Sequence, residues 1–480
     1  MSTFGALEIG KRALIAQKFG LDVTSNNIAN VNTPGYSRRT PVFSEETPIS
    51  SQAGFLGTGV IVNKLRTFRE DFFDAEIRST TSRQAGYEAD QAILQKVDTI
   101  LAEPSDLDIS KLVTDFFNAF EQSSLKPEDI AMRERLLGLG QTLVDRFHSL
   151  DEKFKETRAE TGNEINSLVN QSNQLIKEIT ELNKSISMSK SETGVSAQTL
   201  VDQRELKLEE LSKISFVTVG NNDNGSVNVF MNGINIITDA TSYQLKAIES
   251  VDSSTGERNL ELNRISADNT NKTKITPVSG ELDRDLYHYN VTLDDKESSG
   301  QFSVIQKLND FANAIVTKIN PISIQGYGLD DVSGTAPGRT FFEPAVGGAN
   351  AATIELSSDI KGKARDIPFS SKPGEPGNNE IALKISRLNN DPYFLDNLNP
   401  TEFYATFIGK IGSMEQEANT AQSTTRMVAE QLETQRESTI GVNLDEEAVN
   451  IIKFQKAFEA STRIVNTMSD IIDQIINLGR

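Results

Sequence analysis

Both ends of this chain carry an apolar stripe at helical spacing, which constrains its fold more than anything between them. Near the start, Leu7, Leu14, Leu21 and Ile28 recur every seven residues, with Ala6 and Ala13 beside them. A seven-residue repeat keeps its apolar side chains on one face of a helix and suits a coiled-coil-like seam. Near the other end, Phe458, Val465, Met468, Ile472 and Ile475 fall at steps of seven, three and four, widened by Ile464 and Ile471. Chain termini ordinarily fray, and such a stripe is unfavourable in water. The ends must bury against each other, against neighbouring copies, or both.

The first helix should stop in Asn32-Thr33-Pro34-Gly35-Tyr36. Thr33 precedes a proline, which disfavours the helical region, and Pro34-Gly35 suits the centre of a type II turn. After a glycine-rich extended stretch (54–59) the chain turns helical for a long way. From Leu143 the apolar positions run through Phe147, Leu150, Phe154, Ile165, Leu168, Leu175, Ile179 and Leu182 to Ile186. Polar residues fill only three slots of that rhythm, Thr157, Thr161 and Ser172. This predicts a rod on the order of 65 Å long. Val227, Val229 and Met231 then alternate with polar residues, and Asn232-Gly233 precedes Ile234 and Ile236, a strong hairpin signal. Eight of the 14 prolines lie between Pro321 and Pro400, so 216–400 reads as a β-rich insertion of short strands and loops. Helical periodicity returns over Phe403, Phe407, Ile411, Met414, Ala418, Ala421, Val428 and Leu432. This second helix is expected to pack beside the 143–186 rod. A last helix opens at Asn443 with Glu446 three residues on, a capping-box pattern.

The expected fold class is therefore α+β and multidomain, in mirror order: end helix, long helix, β insertion, long helix, end helix. The expected division is 1–60 with 443–480 as a terminal coiled-coil domain, 61–215 with 401–442 as a long-helix bundle, and 216–400 as the inserted β-rich outer domain.

Composition excludes several functions. Asp and Glu outnumber Lys and Arg by 68 to 48 in 480 residues, a net charge of −20. That balance argues against gripping nucleic acid or an anionic membrane, and leaves proteins as the expected partners. There is no cysteine, which removes disulfides, thiol nucleophiles and thiolate metal sites. No apolar run reaches the length of a membrane helix, and the start lacks the features of a cleaved secretory signal. The two histidines, His148 and His288, read as structural. The loop 221–225 looks faintly like a calcium loop, but Gly220 and Met231 stand where carboxylates are needed, so it reads as a turn. Most of the phenylalanine pairs at 72–73, 116–117 and 341–342 read as core. No catalytic, cofactor-binding or metal site is expected.

The stretch from Val23 to Tyr36 contains Asn26, Asn27, Ile28, Ala29, Asn30, Asn32, Thr33, Pro34, Gly35 and Tyr36. It closely resembles the signature of the axial proteins of the bacterial flagellum, the rod, hook and junction subunits. Flagellin and the filament-side junction protein lack it. Asp202-Gln203-Arg204-Glu205, the strand and turn 227–233, and the C-terminal runs 441–448 and 454–461 resemble the hook-side junction members of that family. One departure is Lys318-Ile319-Asn320-Pro321-Ile322, where relatives often carry a histidine after the asparagine.

The resemblance implies terminal helices that line an axial channel as a coiled-coil inner layer (a D0-like domain) and are largely disordered in the free subunit. It further implies helical arms as a second layer (D1-like), the β insertion outermost (D2-like), and export of the unfolded chain to the flagellum. The implied function is a structural subunit of the hook–filament junction. The implied partners are copies of itself, hook protein, the filament-side junction protein and an export chaperone at the C-terminal helix. Leu7, Leu14, Leu21 and Ile28, with Phe458, Val465, Met468, Ile472 and Ile475, are the expected assembly residues. Rival readings are another axial subunit, of rod or hook, and an adhesin or enzyme displayed by flagellar ends with its activity in the insertion.

Overall fold

A computed structural model describes residues 3–51, 54–102, 108–193, 197–251, 258–266, 271–296, 301–344 and 348–478. Helix α1 (Thr3–Ala29) leads into a ribbon of β1 (Arg39–Glu45), β2 (Ile49–Ser51), β3 (Gly54–Leu56) and β4 (Val60–Thr67). Strands β1 and β4 pair antiparallel from Arg39 opposite Thr67 to Glu45 opposite Val60. Four helices follow: α2 (Asp71–Leu101), α3 (Ile109–Leu125), α4 (Ile130–Thr193) and α5 (Gln198–Ile214). Next come β5 (Val217–Asn221), β6 (Val227–Met231), β7 (Ile234–Thr238) and β8 (Thr241–Ser242), which form one sheet in that order. Strands β9 (Gln244–Val251), β10 (Arg258–Ile265) and β11 (Lys272–Ile275) form a second, with β10 central. After α6 (Glu281–Tyr287) and a π-helical turn (His288–Thr292) come α7 (Val304–Ser323), β12 (Phe342–Glu343), β13 (Glu355–Leu356) and α8 (Glu380–Ser386). Helices α9 (Pro400–Ile440) and α10 (Leu444–Leu478) close the chain. Among the described residues no helix is long and apolar enough to cross a membrane.

The local signals act as their chemistry requires. Tyr36 N donates to Thr33 O at 3.2 Å, with Gly35 at φ 75°, as a type II turn needs. Asn232 and Gly233, both at positive φ, join β6 to β7 with Met231 opposite Ile234, the two-residue hairpin. Asn443 caps α10 by accepting from Asp445 N and Glu446 N.

The long helix is α4, 64 residues or about 96 Å at 1.5 Å per residue, and it runs through two separate apolar cores. Its first part, Leu136 to Phe154, joins the C-terminal part of α2 with α3, α7, α8 and the start of α9. Its second part, Ile165 to Ile179, joins α5, α6 and both larger sheets. The polar slots Thr157 and Thr161 fall between the cores, each hydroxyl bonded four residues back, to Lys153 O and Thr157 O. The first core centres on Phe116, whose ring meets Phe117, Phe120, Phe341 and Phe342 at centroid distances of 5.2–5.7 Å. Phe73 is buried and Phe72 is 70% exposed.

Two expectations are corrected. Helix α9 lies along α2 rather than along α4, and Val428 on its stripe is exposed. A three-four rhythm shows that a helix buries one face and is silent about its partner. The region 216–400 is not uniformly strand and loop either. Its larger sheets end at Ile275, and α7 buries Ile305, Leu308, Phe311, Ala312, Ile315 and Ile319 in the first core, at helical spacing. The proline and glycine content of 321–400 masked that periodicity.

Phe116→Ala should lower unfolding free energy by about 3–5 kcal/mol, whereas Phe72→Ala should stay within about 0.5 kcal/mol. Chemical unfolding of the two variants followed by circular dichroism checks this, and equal effects would contradict the burial assigned to them.

Candidate assembly site at the paired chain ends

Helices α1 and α10 lie against each other. Gly10, Ala16, Gly20, Val23, Thr24 and Asn27 of α1 are buried, and of these Gly10, Gly20 and Asn27 meet α10. A Cβ at Gly10 would stand 2.7 Å from Val465 Cγ2, and one at Gly20 would stand 2.9 Å from the Phe454 ring. The glycines thus set how closely the helices approach. Leu7, Leu14, Leu21 and Ile28 flank that contact and are half-buried. On α10, Phe458, Val465, Met468 and Ile472 are half-buried, while Ile475 is 53% exposed. Heptad counting singled out the large side chains and missed the small ones; glycine and alanine at steps of three and four were the available signal.

The pair is locked at its inner end by polar contacts (1% exposure for Glu447). The Glu447 carboxylate accepts from Arg38 Nε at 2.8 Å and from Asn27 Nδ2 at 3.2 Å. Arg38 also reaches Glu446 at 2.8 Å, so Glu446 serves an ion pair in place of the reciprocal arm of a capping box. Asn27 Nδ2 also donates to Arg39 O, and its Oδ1 accepts from Arg39 N and from the Tyr36 hydroxyl at 2.8 Å. The same hydroxyl lies 3.1 Å from Asn26 Oδ1, and Asn30 Nδ2 closes back onto Asn26 O. Burial raises the Tyr36 pKa, with the Arg39 guanidinium over its ring opposing.

A second carboxylate, Asp202 of α5, ties this knot to the helical arm. It accepts from Arg39 at 2.9 Å and from Arg69 at 3.2 Å, and Arg69 also holds Asp74 at 2.6 Å. Burial opposes the Arg69 charge, but Glu205, Asp74 and Asp202 outweigh it and raise the pKa. Arg78 donates to Glu205 at 3.0 Å. Between the end pair and the arm lies an open groove of about 920 Å³, lined by 31–38 and 436–443 among others. The structure thus brings the Asn-Thr-Pro-Gly-Tyr turn, the Asp-Gln-Arg-Glu run and the start of α10 to one place. Spacing alone gives no hint that they meet.

The histidines lie elsewhere. His148 bonds Ile354 O at 2.8 Å, and His288 is wholly buried under α2. Among the described residues no group of His, Cys, Asp and Glu could hold a metal ion.

A pair made from both chain ends, carrying an arm and a sheet-bearing insertion, is the layout that the resemblance of the sequence implies, and the comparisons with known proteins agree with that resemblance. Residues 7–36 match the flagella basal body rod protein family, and 435–478 match the flagellar basal body rod FlgEFG protein C-terminal family. Residues 94–342, just over half of the chain, match the flagellar hook-associated protein FlgK helical domain. The chain belongs to the flagellar hook-associated protein FlgK family, exported structural proteins of the bacterial flagellum and not enzymes. It is 26% identical to flagellar hook-associated protein 1 of Bacillus subtilis, over 99% of this chain and 98% of that one. Against the Salmonella typhimurium protein of the same name the identity is 24%, over 97% and 98%. The fold is similar to that of the flagellar hook junction protein FlgK from Burkholderia pseudomallei. The TM-score is 0.62 at 13% identity, covering 76% of this chain and 100% of that one.

Glu447→Ala should leave the Arg38 guanidinium and the Asn27 amide short of a partner and cost about 3–5 kcal/mol. Hydrogen exchange in α1 and in the start of α10 reads that loss, and unchanged protection in both would show that the carboxylate does not hold the pair.

Proposed function

We propose that this protein is a structural subunit of the hook–filament junction that polymerises through α1 and α10. In this reading it is seated on hook protein below and on the filament-side junction protein above. The observation that carries the reading is the apolar surface left on the end pair after the two helices have met. Ile15 on α1 and Val449, Ile452, Ile464, Ile475 and Ile476 on α10 are 50–65% exposed. Covering each such side chain is worth roughly 1.5–3 kcal/mol, and a ring of copies would cover them repeatedly. The half-buried Leu7, Leu14, Leu21 and Ile28, with Phe458, Val465, Met468 and Ile472, then serve both the intramolecular pair and the seam between copies.

In the layered arrangement that goes with this role, 1–60 with 443–480 is the inner layer and 61–215 with 401–442 the middle one. The outer part drawn from 216–400 shares its second half with the core of the middle layer. Before export the exposed face of α10 is also suited to an export chaperone, since amphipathic helices dock into apolar grooves.

Ile475→Asp combined with Ile476→Asp leaves the contact between α1 and α10 in place and puts charge on the open face. The variant should keep its circular dichroism spectrum and bind isolated hooks at least about tenfold more weakly. Co-sedimentation with hooks measures this, and wild-type binding would remove the apolar seam from the proposal.

A further inference from the structure

The contact between α2 and α6 contains two titratable groups that the assembly reading does not use. Helix α6 comes close to α2, where a Cβ at Gly86 would stand 3.3 Å from Gly280 O. On the other side, Gly280 at φ 107° lies against the carbonyl of Ile214 in α5. Ser82 and Ser279 share a hydrogen bond of 2.7 Å, and α4 presses Gly162 onto the Tyr289 ring. Asp285 of α6 is 4% exposed, and among the described residues its carboxyl is bonded to no donor.

The groups facing Asp285 are mostly of its own sign. They are Glu281 on α6, Glu164 from α4 and Asp90 from α2, with Lys96 of α2 the opposing charge. Lys96 is itself paired with Glu160. A carboxylate so placed has little water and no donor to stabilise its charge. His288 is also fully buried, and its two ring nitrogens are satisfied as a neutral imidazole. Nε2 stands 2.9 Å from Asp90 Oδ1 and Nδ1 3.0 Å from the Thr292 hydroxyl, spacings that a neutral ring meets by donating from Nε2 and accepting at Nδ1. Asp90 favours a charged imidazole, but it already takes the Arg284 guanidinium as its cation, and burial outweighs its pull on His288.

We infer that the docked α6 segment keeps its exchangeable proton on the Asp285 carboxyl and leaves the His288 imidazole neutral. In an exposed chain at mildly acidic pH the proton would sit on the imidazole instead. The two groups then impose opposite pH dependences on the docking of the sheet-bearing unit against α2. Burial, then Glu281 and Glu164, push the Asp285 pKa from 3.8 to about 7. Its contribution is therefore complete below 3.8 and is lost as pH rises towards 7. Burial holds His288 below its usual 6.5, so its contribution is complete above 6.5 and is lost as pH falls. The proton that docking adds at Asp285 is balanced by the one it removes from His288, and α6 stays docked across the acidic range. Glu281 and Asp283 are also raised by burial, so the comparison of variants with wild type carries the test.

The experiment is hydrogen exchange over 281–292 in the full chain, expressed as protection factors, between about pH 5 and pH 6.5. The protection of Asp285→Asn relative to wild type should rise with pH, by up to about tenfold per unit. That of His288→Gln should fall over the same range. A flat ratio for either variant overturns the assignment for that group. Imidazole NMR of the wild-type chain, assigned with His148→Gln, gives a reading that needs no altered α6. His288 that stays neutral through this range supports the inference, and titration near 6.5 overturns it.

Discussion

The rest of the molecule is organised around one buried carboxylate. Glu447 accepts from Arg38 and Asn27, and through them it joins the last helix to the first and to the strand that leaves the first. Taking a carboxylate out of water is costly unless its lone pairs are met, so this contact tolerates few geometries. The turn at Thr33 to Tyr36 matters because it delivers Tyr36, Arg38 and Arg39 to that point. A straight continuation of α1 would carry them away. The small residues of α1 matter for the same reason, since Gly10 and Gly20 allow α10 close enough for its Glu447 to reach Asn27.

Asp202 extends the arrangement outward. It connects Arg39 of the ribbon with Arg69 at the start of α2, so the end pair and the arm share an ionic joint as well as two chain crossings. Beyond the joint, α4 carries the order onward. Its two apolar stretches enter different cores, and the threonines between them mark the change of partner. Protein interiors are packed too closely to yield much, so a helix fixed in both cores holds the sheet-bearing unit in register with the bundle.

Much of this was legible in the sequence. The end helices, the type II turn, the Asn-Gly hairpin and the rod all declare themselves through local chemistry, and the structure has each of them. What failed was partner choice. The stripe of α9 is equally compatible with α4 and with α2, because a one-dimensional pattern carries no address. Helix α7 was hidden because the proline and glycine content of 321–400 dominated the reading of the whole insertion. At the candidate site, the heptad leucines mark α1 but flank its contact with α10, where glycine and alanine carry no hydrophobic signal. The ionic knot was beyond reach for a different reason. Asp202 and Glu447 stand in runs that carry the family resemblance, but among 116 charged side chains nothing pairs them with Arg39 and Arg38 until the fold sets them side by side.

The distance between Asn27 and Glu447 along the chain, 420 residues, also sets an order in time. Closing a loop that long in an unfolded chain costs about 5 kcal/mol by the logarithmic rule, as much as the contact itself can return. The price falls once the two cores and the α2–α9 contact have formed, because the folded body then holds both ends near the same spot. A chain that emerges first end first must keep α1 waiting, without its partner, until its last 35 or so residues arrive. Closure of the ends is thus favoured only after the segments between them have folded.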